Sequence, residues 1–301
     1  QLLHQIGRQT AETFGISPDA FFLCFDAYNY GCQHGYFEYV LGKTDSTKEV
    51  AQLICEKVDN SFPPKSKFYC YHGMGHGVMM AQAYDLNRSL DTCNSLGSSL
   101  AADGCWQGVF MENVNAGMRG ESKEGVFSKT DPLAPCNQLE EKYQHECFIN
   151  HSGYLMNYFN NDISQASRAC LAAPEAKILS CMQSIGLMVT NPVWQVNLSK
   201  NTATLAFEDV AWELCRQFPS DYIDQCVIGG IDNIMNFDQL NIQRASAFCT
   251  TVGLPFRESC MAKIGSGMRA NTNDTEIIRQ RCSNLGVNYS QKCLQGAGLN
   301  L

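Results

Sequence analysis

The chain has 301 residues, of which 45% are hydrophobic and 17% are charged, and it carries a net charge of −8. This composition is typical of a folded protein. An acidic chain without runs of lysine or arginine lacks the basic surface with which nucleic acids and anionic membranes are bound. No apolar stretch approaches the ~20 residues that span a bilayer, and QLLHQIGRQT at the start does not resemble a secretory signal, so we expect any signal to have been removed.

Sixteen cysteines are the strongest feature of the sequence. Their even number and the absence of any CxxC spacing favour eight disulfides in an oxidising compartment over a metal–thiolate cluster. Taken as consecutive pairs, the last five pairs are each 11 positions apart, and four of the steps between pairs are 23. The resulting 34-residue period predicts an all-α fold, an α-solenoid-like stack of about eight helical hairpins, each closed by one disulfide.

We expect these hairpins to form one continuous domain over residues 1–301. The cysteine spacing lengthens twice and divides the chain into repeats 1–113, insertion 114–134, repeats 135–186, insertion 187–207 and repeats 208–301. Glycines recur three to six places after the second cysteine of each pair. Because glycine is unfavourable inside a helix, we interpret them as sites where neighbouring hairpins pack closely.

Polar residues distinguish the first three repeats from the later ones. At two equivalent registers, one helical turn apart, these repeats place His34, His72 and Gln107, and then Glu38, His76 and the nearby Glu112. Residues four apart share a helix face, and equivalent positions of stacked repeats lie on the same surface. We therefore expect these side chains to converge on one concave patch.

Histidine and glutamate bind divalent metals and transfer protons near neutral pH. His72 and His76 have the i, i+4 spacing with which one helix supplies two imidazoles, and His34 would be the third ligand. The pattern predicts a divalent metal, with zinc first and copper or iron next, since several methionines lie nearby in the sequence. Structural packing or metal-free acid–base chemistry of these histidines are the alternatives.

Further roles follow from this hypothesis. Glu112 is the predicted general base, Glu38 a second catalytic carboxylate or a further ligand, and Gln107 and Asn113 are predicted to bind substrate. The remaining histidines, at positions 4, 145 and 151, are scattered, and we interpret them as incidental.

The two insertions have their own interpretations. Residues 114–134 are polar and glycine-containing, and they are either a lid over the patch or a solvent-exposed insertion. The alternation VWQVNL at 193–198 indicates an extended segment, either an edge for a partner or ligand, or packing at a break between two stacks. N-x-S/T triplets at Asn87, Asn150, Asn197, Asn273 and Asn288 fit a glycosylating secretory route.

The sequence thus predicts a secreted, extracellular glycoprotein with a metal-dependent hydrolase or oxidoreductase site in its N-terminal repeats. One alternative is a non-catalytic scaffold whose concave face binds an unknown protein, peptide or glycan. Another is a surface protein that associates with itself. Neither nucleic acid nor a membrane span is expected.

Overall fold

A computed structural model describes residues 2–24, 30–44, 46–59, 61–123, 125–192, 195 and 206–300. Every regular element in these ranges is helical, which confirms the all-α class. None of the described helices combines the length and the hydropathy that crossing a membrane requires. The extended segment predicted for 193–198 lies outside the described residues apart from Gln195.

Residues 1–150 form the first compact unit. Its helices are α1 (Leu2–Phe14), α2 (Pro18–Phe22), α3 (Gly31–Leu41), α4 (Thr47–Leu53), α5 (Ser66–Ala81), α6 (Leu86–Asn94), α7 (Ser99–Arg119) and α8 (Glu141–Asn150). Helices α1, α3, α5, α7 and α8 pack side by side in that order. Helix α5 is therefore enclosed between α3 and α7, which explains why it has no polar face.

Residues 151–301 form the second compact unit. Its described helices are α9 (Ser152–Tyr158), α10 (Ile163–Ala169), α11 (Ile178–Val189), α12 (Phe207–Cys215), α13 (Ile223–Asp238), α14 (Gln243–Thr251), α15 (Leu254–Asn271), α16 (Thr275–Ser283) and α17 (Val287–Gly296). Within this unit α11, α13, α15 and α17 pack in succession. The single domain over 1–301 and the α-solenoid arrangement stay predictions.

All sixteen cysteines are paired, and each bond joins consecutive cysteines, as the spacing predicted. The bonds are 24–32, 55–70, 93–105, 136–147, 170–181, 215–226, 249–260 and 282–293. In each pair the second cysteine lies within a long helix, and in seven pairs the first lies at the end of the preceding helix or in the turn after it; Cys136 instead opens a 3-10 turn just before α8. Closing loops of this length contributes roughly 2–3 kcal/mol each in the chain-entropy model.

Most of the recurrent glycines lie where two helix backbones come closest, which supports the packing interpretation. A Cβ atom on Gly75 would lie 2.1 Å from the carbonyl oxygen of Cys105, and one on Gly108 would lie 1.9 Å from that of His72. The same reciprocal contact occurs at Gly7 with Gly35, at Gly186 with Gly229 and at Gly265 with Gly296.

The reciprocal contact also aligns helices α1 and α5, which the cysteine positions do not align. Gly35 approaches the carbonyl oxygen of His4 just as Gly108 approaches that of His72. Helix α1 is thus the counterpart of α5, and His4 is the counterpart of His72. The position two residues before His4 is Leu2, whereas the position two residues before His72 is Cys70.

Candidate metal centre

The candidate centre is built on α5, whose sequence from residue 70 reads CYHGMGHGVMM. Each of its three glycines lowers the stability of an isolated helix by about 1 kcal/mol relative to alanine. Because glycine has no side chain, the neighbouring helices can pack directly against the α5 backbone. A Cβ on Gly73 would touch the rings of Phe37 and His34, and one on Gly77 would meet the Phe37 carbonyl at 2.6 Å. The tight packing leaves His72 2% and His76 1% exposed.

Three imidazoles converge in this packed region. One ring nitrogen from each of His34, His72 and His76 lies within 4.8 Å of the others. The His34 and His76 rings stack with centroids 4.3 Å apart, and the Nε2 atoms of His72 and His76 are 3.2 Å apart. His34 keeps some solvent contact as a residue, but its Nε2 atom is buried and has no hydrogen-bond partner in the described structure.

The outer nitrogens of the two α5 histidines are held by α7. His76 Nδ1 lies 3.1 Å from Glu112 Oε2, and the other oxygen of Glu112 accepts a 2.9 Å bond from Arg119. His72 Nδ1 lies 2.9 Å from Gln107 Oε1, and Gln107 Nε2 donates to Glu146 at 3.1 Å. Such bonds fix the tautomer and orientation of metal-binding histidines.

These partners require a proton on the outer nitrogen of each ring. A carboxylate only accepts hydrogen bonds, so His76 donates through Nδ1, and the Gln107 carbonyl oxygen likewise requires a proton on His72 Nδ1. In the neutral rings, the Nε2 atoms of His72 and His76 then face each other with their lone pairs at a distance of 3.2 Å. Lone pairs at this distance repel one another unless a cation or a shared proton lies between them.

The electrostatics favour the neutral imidazole at His72 and His34. Burial, together with the neighbouring His76, lowers the pKa of His72 to about 3. Burial, followed by the charges of the nearby histidines, lowers the pKa of His34 well below its usual value. Burial alone would raise the pKa of Glu112, but the bonds from His76 and Arg119 lower it to about 2, so this carboxylate is ionised. Neutral imidazole is the form that binds metals.

Comparison with known protein families, with curated proteins and with solved structures found no match for the chain. The metal preference of the cluster must therefore follow from its donor atoms. Three imidazoles are common zinc ligands, and nitrogens on a tetrahedral zinc lie about 3.3 Å apart, so small side-chain movements would bring all three into range. Met74, the nearest methionine in sequence, has its sulfur 3.6 Å from Cys55 Sγ in the core.

Glu38 lies beside the cluster in an ion pair of its own. Its Oε1 atom is 2.6 Å from His4 Nδ1, and its Oε2 atom is 3.1 Å from Arg8. The His4 ring in turn meets the His34 ring edge-on, with centroids 5.5 Å apart. The sequence indicated an incidental role for His4, whereas the structure places it next to His34.

Asn113 lies on α7 and His145 on α8. Asn113 is buried, and its Oδ1 atom has no hydrogen-bond partner among the described residues. His145 is 58% exposed on α8, 3.9 Å from Glu146. Glu146, which supports Gln107, was not among the residues predicted from the sequence, because it lies outside the aligned registers of the first three repeats.

Helix α7 extends into the segment 114–134 that was predicted as an insertion. Helix α7 continues through Arg119 and ends at Gly120, whose φ of 73° is the left-handed conformation that favours glycine after a helix. The following loop is tied to the helices, since Lys123 pairs with Asp85 at 2.7 Å and the ring of Phe127 packs on Gly117. Its role as a lid stays a prediction. Helix α11 likewise extends to Val189, into the second insertion.

Proposed function

We propose that the N-terminal unit holds one divalent transition-metal ion, zinc in the first place, between His34, His72 and His76. The facing Nε2 atoms of His72 and His76 are the observation that carries this proposal. Both rings donate through the opposite nitrogen, so in the neutral rings an ion between the two Nε2 atoms would replace a repulsive contact with two bonds.

The donor set supports zinc over copper and iron. The three convergent donors are nitrogens, whereas copper(I) is selected by sulfur ligands. The nearby carboxylates of Glu38 and Glu112 already form ion pairs with arginine and histidine partners, so they are less suited to an iron or manganese site of the histidine–carboxylate kind. Imidazole nitrogens alone suit zinc.

Three protein ligands leave a tetrahedral ion one position for water, which is the coordination of catalytic zinc. A zinc-bound water ionises near neutral pH, so metal-assisted hydrolysis is the reaction that fits best. Substrate would approach from the side of His34, the most exposed of the three histidines. The eight disulfides favour an oxidising, non-cytosolic compartment, and we propose secretion.

The polar neighbours then serve mainly to orient ligands. Glu112 holds His76 and Gln107 holds His72, so we assign them positioning roles in place of the predicted base and substrate contact. Substrate binding by Asn113 stays a prediction, as do glycosylation, the scaffold alternative and self-association.

Metal analysis of the oxidised protein tests the proposal. We expect about one zinc per chain in the wild type, and a large loss of metal when His72 and His76 are both changed to alanine, because two of the three ligands are gone. His145→Ala, which removes an exposed histidine outside the cluster, is the matched control and should retain its metal.

A second readout guards against misfolding of the double variant. Metal at a hundredfold excess over Kd should raise the free energy of unfolding of the wild type by about 2.7 kcal/mol. His34→Gln, at a less buried position, should reduce that gain without changing the stability of the metal-free protein by more than ~1 kcal/mol. A wild type that takes up neither zinc, copper nor iron would refute the proposal.

A further inference from the structure

Four imidazoles, not three, run from the surface into the first unit. The His4 side chain is 29% exposed, His34 is partly exposed with a buried Nε2 atom, and His72 and His76 are almost fully buried. The ring centroids of His4 and His34 are 5.5 Å apart, and that of His34 lies 5.3 Å from His72 and 4.3 Å from His76. His34 thus touches both the exposed histidine and the buried pair.

His4 is oriented in the same way as the buried histidines. Its Nδ1 atom lies 2.6 Å from Glu38, which Arg8 holds from the other side, just as Glu112 lies between His76 and Arg119. A proton on Nδ1 leaves the Nε2 lone pair of His4 free to bind a metal. The structural register of α1 and α5, which makes His4 the counterpart of His72, supports the same conclusion.

His34 differs from the other three histidines. No hydrogen bond holds its ring in the described structure, and its Nε2 atom is one of the buried polar atoms that lack a partner. A ring without such a bond can turn at lower cost than the rings of His4, His72 and His76, each of which would have to break one.

We propose, on the basis of the proposed function, that His4 is the entry ligand of the metal centre, that is, the first residue to bind the incoming ion. It captures a hydrated divalent cation at the surface, His34 binds the same ion next, and His72 and His76 then draw it inward. Each exchange replaces one bound water, or the previous histidine, with an imidazole nitrogen, and no charge or electron is transferred. His4 is released once the three buried ligands are in place.

Metal-binding kinetics test this route. Zinc or cobalt(II) is mixed in a stopped-flow instrument with metal-free, disulfide-intact protein, and release is followed with an excess of chelator. For His4→Ala we expect the association and release rates to fall by the same factor, about tenfold, with Kd unchanged, because a ligand on the path speeds both directions equally.

Two variants and two controls accompany this experiment. His4→Gln retains a side-chain donor for Glu38 but binds metal weakly, so it should behave like His4→Ala even if the alanine variant is unstable. Gln5→Ala, at an exposed position of α1, and His145→Ala, which removes another exposed imidazole, should leave both rates unchanged.

The results separate this inference from the proposed function. Unchanged rates in both His4 variants would overturn the entry role while leaving the three-histidine site intact. Faster release with unchanged association would also overturn it, since His4 would then be a permanent fourth ligand. Absence of metal binding by the wild type would instead refute the proposed function, and the entry route with it.

Discussion

Glu146 shows how one buried carboxyl group links the centre to the stability of the unit. It accepts a hydrogen bond from Gln107, whose other end holds His72. Burial raises the pKa of Glu146 to about 7; the Gln107 bond opposes this effect and the charge of Asp103 adds to it. The folded protein therefore retains a proton on Glu146 at pH values where the unfolded chain has lost it.

This shift predicts a pH-dependent effect of Glu146→Gln. A folded-state pKa above the unfolded value of 4.5 favours folding at low pH, and this contribution is lost as the pH rises through about 7. At pH 8 the free energy of unfolding of the ionised wild type should be roughly 3 kcal/mol lower than that of the neutral glutamine variant. Near pH 4 the two free energies should be equal. Denaturant unfolding of both proteins with chelator present measures it.

The exposed Glu140, which is on the loop before α8, supplies the control for this prediction. Glu140→Gln should show no comparable change in stability between pH 4 and pH 8. If Glu146→Gln differed from the wild type by the same amount at both pH values, the retained proton would be excluded.

The sequence predicted the three convergent histidines together with Gln107 and Glu112, but not the roles of His4 and Arg119, for a definite reason. His34, His72 and His76 stand at fixed distances from cysteines, so alignment on those cysteines placed them on one surface. Two residues before His4 stands a leucine, whereas His72 has a cysteine there, so alignment on cysteines does not include His4. Only the close approach of Gly35 to its carbonyl oxygen shows that His4 is equivalent to His72. The ion pair of Glu112 depends on Arg119, in a segment that the spacing classed as an insertion.

At the scale of elements, two turns share one backbone conformation but differ in their residues. After α5, Ala83 and Tyr84 have φ values of 50° and 59°, and after α9, Asn160 and Asn161 have values of 52° and 63°. The amide of Tyr84 bonds back to Met79 and that of Asn161 to Met156, so the turns are equivalent. Asparagine tolerates this left-handed conformation, whereas alanine and tyrosine are strained in it.

Replacing Ala83 with glycine should therefore stabilise the protein by up to ~1 kcal/mol, because glycine adopts positive φ without strain. Ala83 is exposed, so the substitution removes little packing. The midpoint of urea unfolding measures the change.

The same substitution two positions earlier is the control. Ala81 is also exposed but is the last residue of α5 and has helical geometry, so Ala81→Gly should destabilise by up to ~1 kcal/mol. Equal destabilisation by both substitutions would contradict the strain at residue 83.

Helix positions were more predictable than helix ends. Each cysteine pair predicted one helical hairpin, and α3, α5, α11 and α13 each contain the second cysteine of their pair. A change in cysteine spacing does not itself end a helix, so α7 continues into the segment 114–134 that the spacing classed as an insertion. Its Ala, Met and Arg residues continue the helix until Gly120.

For the whole molecule, the cysteine period predicted the helical class and favoured, without establishing it, the pairing of consecutive cysteines. A disulfide between consecutive cysteines depends only on the local sequence and not on how remote parts of the chain pack. The spacing of the cysteines can therefore indicate such a bond. The division into units 1–150 and 151–301 has no such signal, because contacts between helices are not recorded in the spacing.

Peptide mapping under non-reducing conditions should confirm the pairing. Trypsin cuts after Arg281 and Lys292, and we expect the peptide 282–292 to remain bound to 293–301 until a reductant is added. Likewise, 245–257 should remain bound to 258–263. Free thiols are blocked before digestion, and a link from Cys282 to any cysteine other than Cys293 would contradict the structure.

The local pairing also bears on how the chain matures. Sixteen cysteines allow roughly two million complete pairings, yet here each cysteine bonds to the one synthesised just before or after it. As the polypeptide enters an oxidising compartment from its N-terminus, each bond can close as soon as its second thiol arrives. Oxidation in order of arrival gives the native set, so maturation requires an oxidase and little isomerase activity.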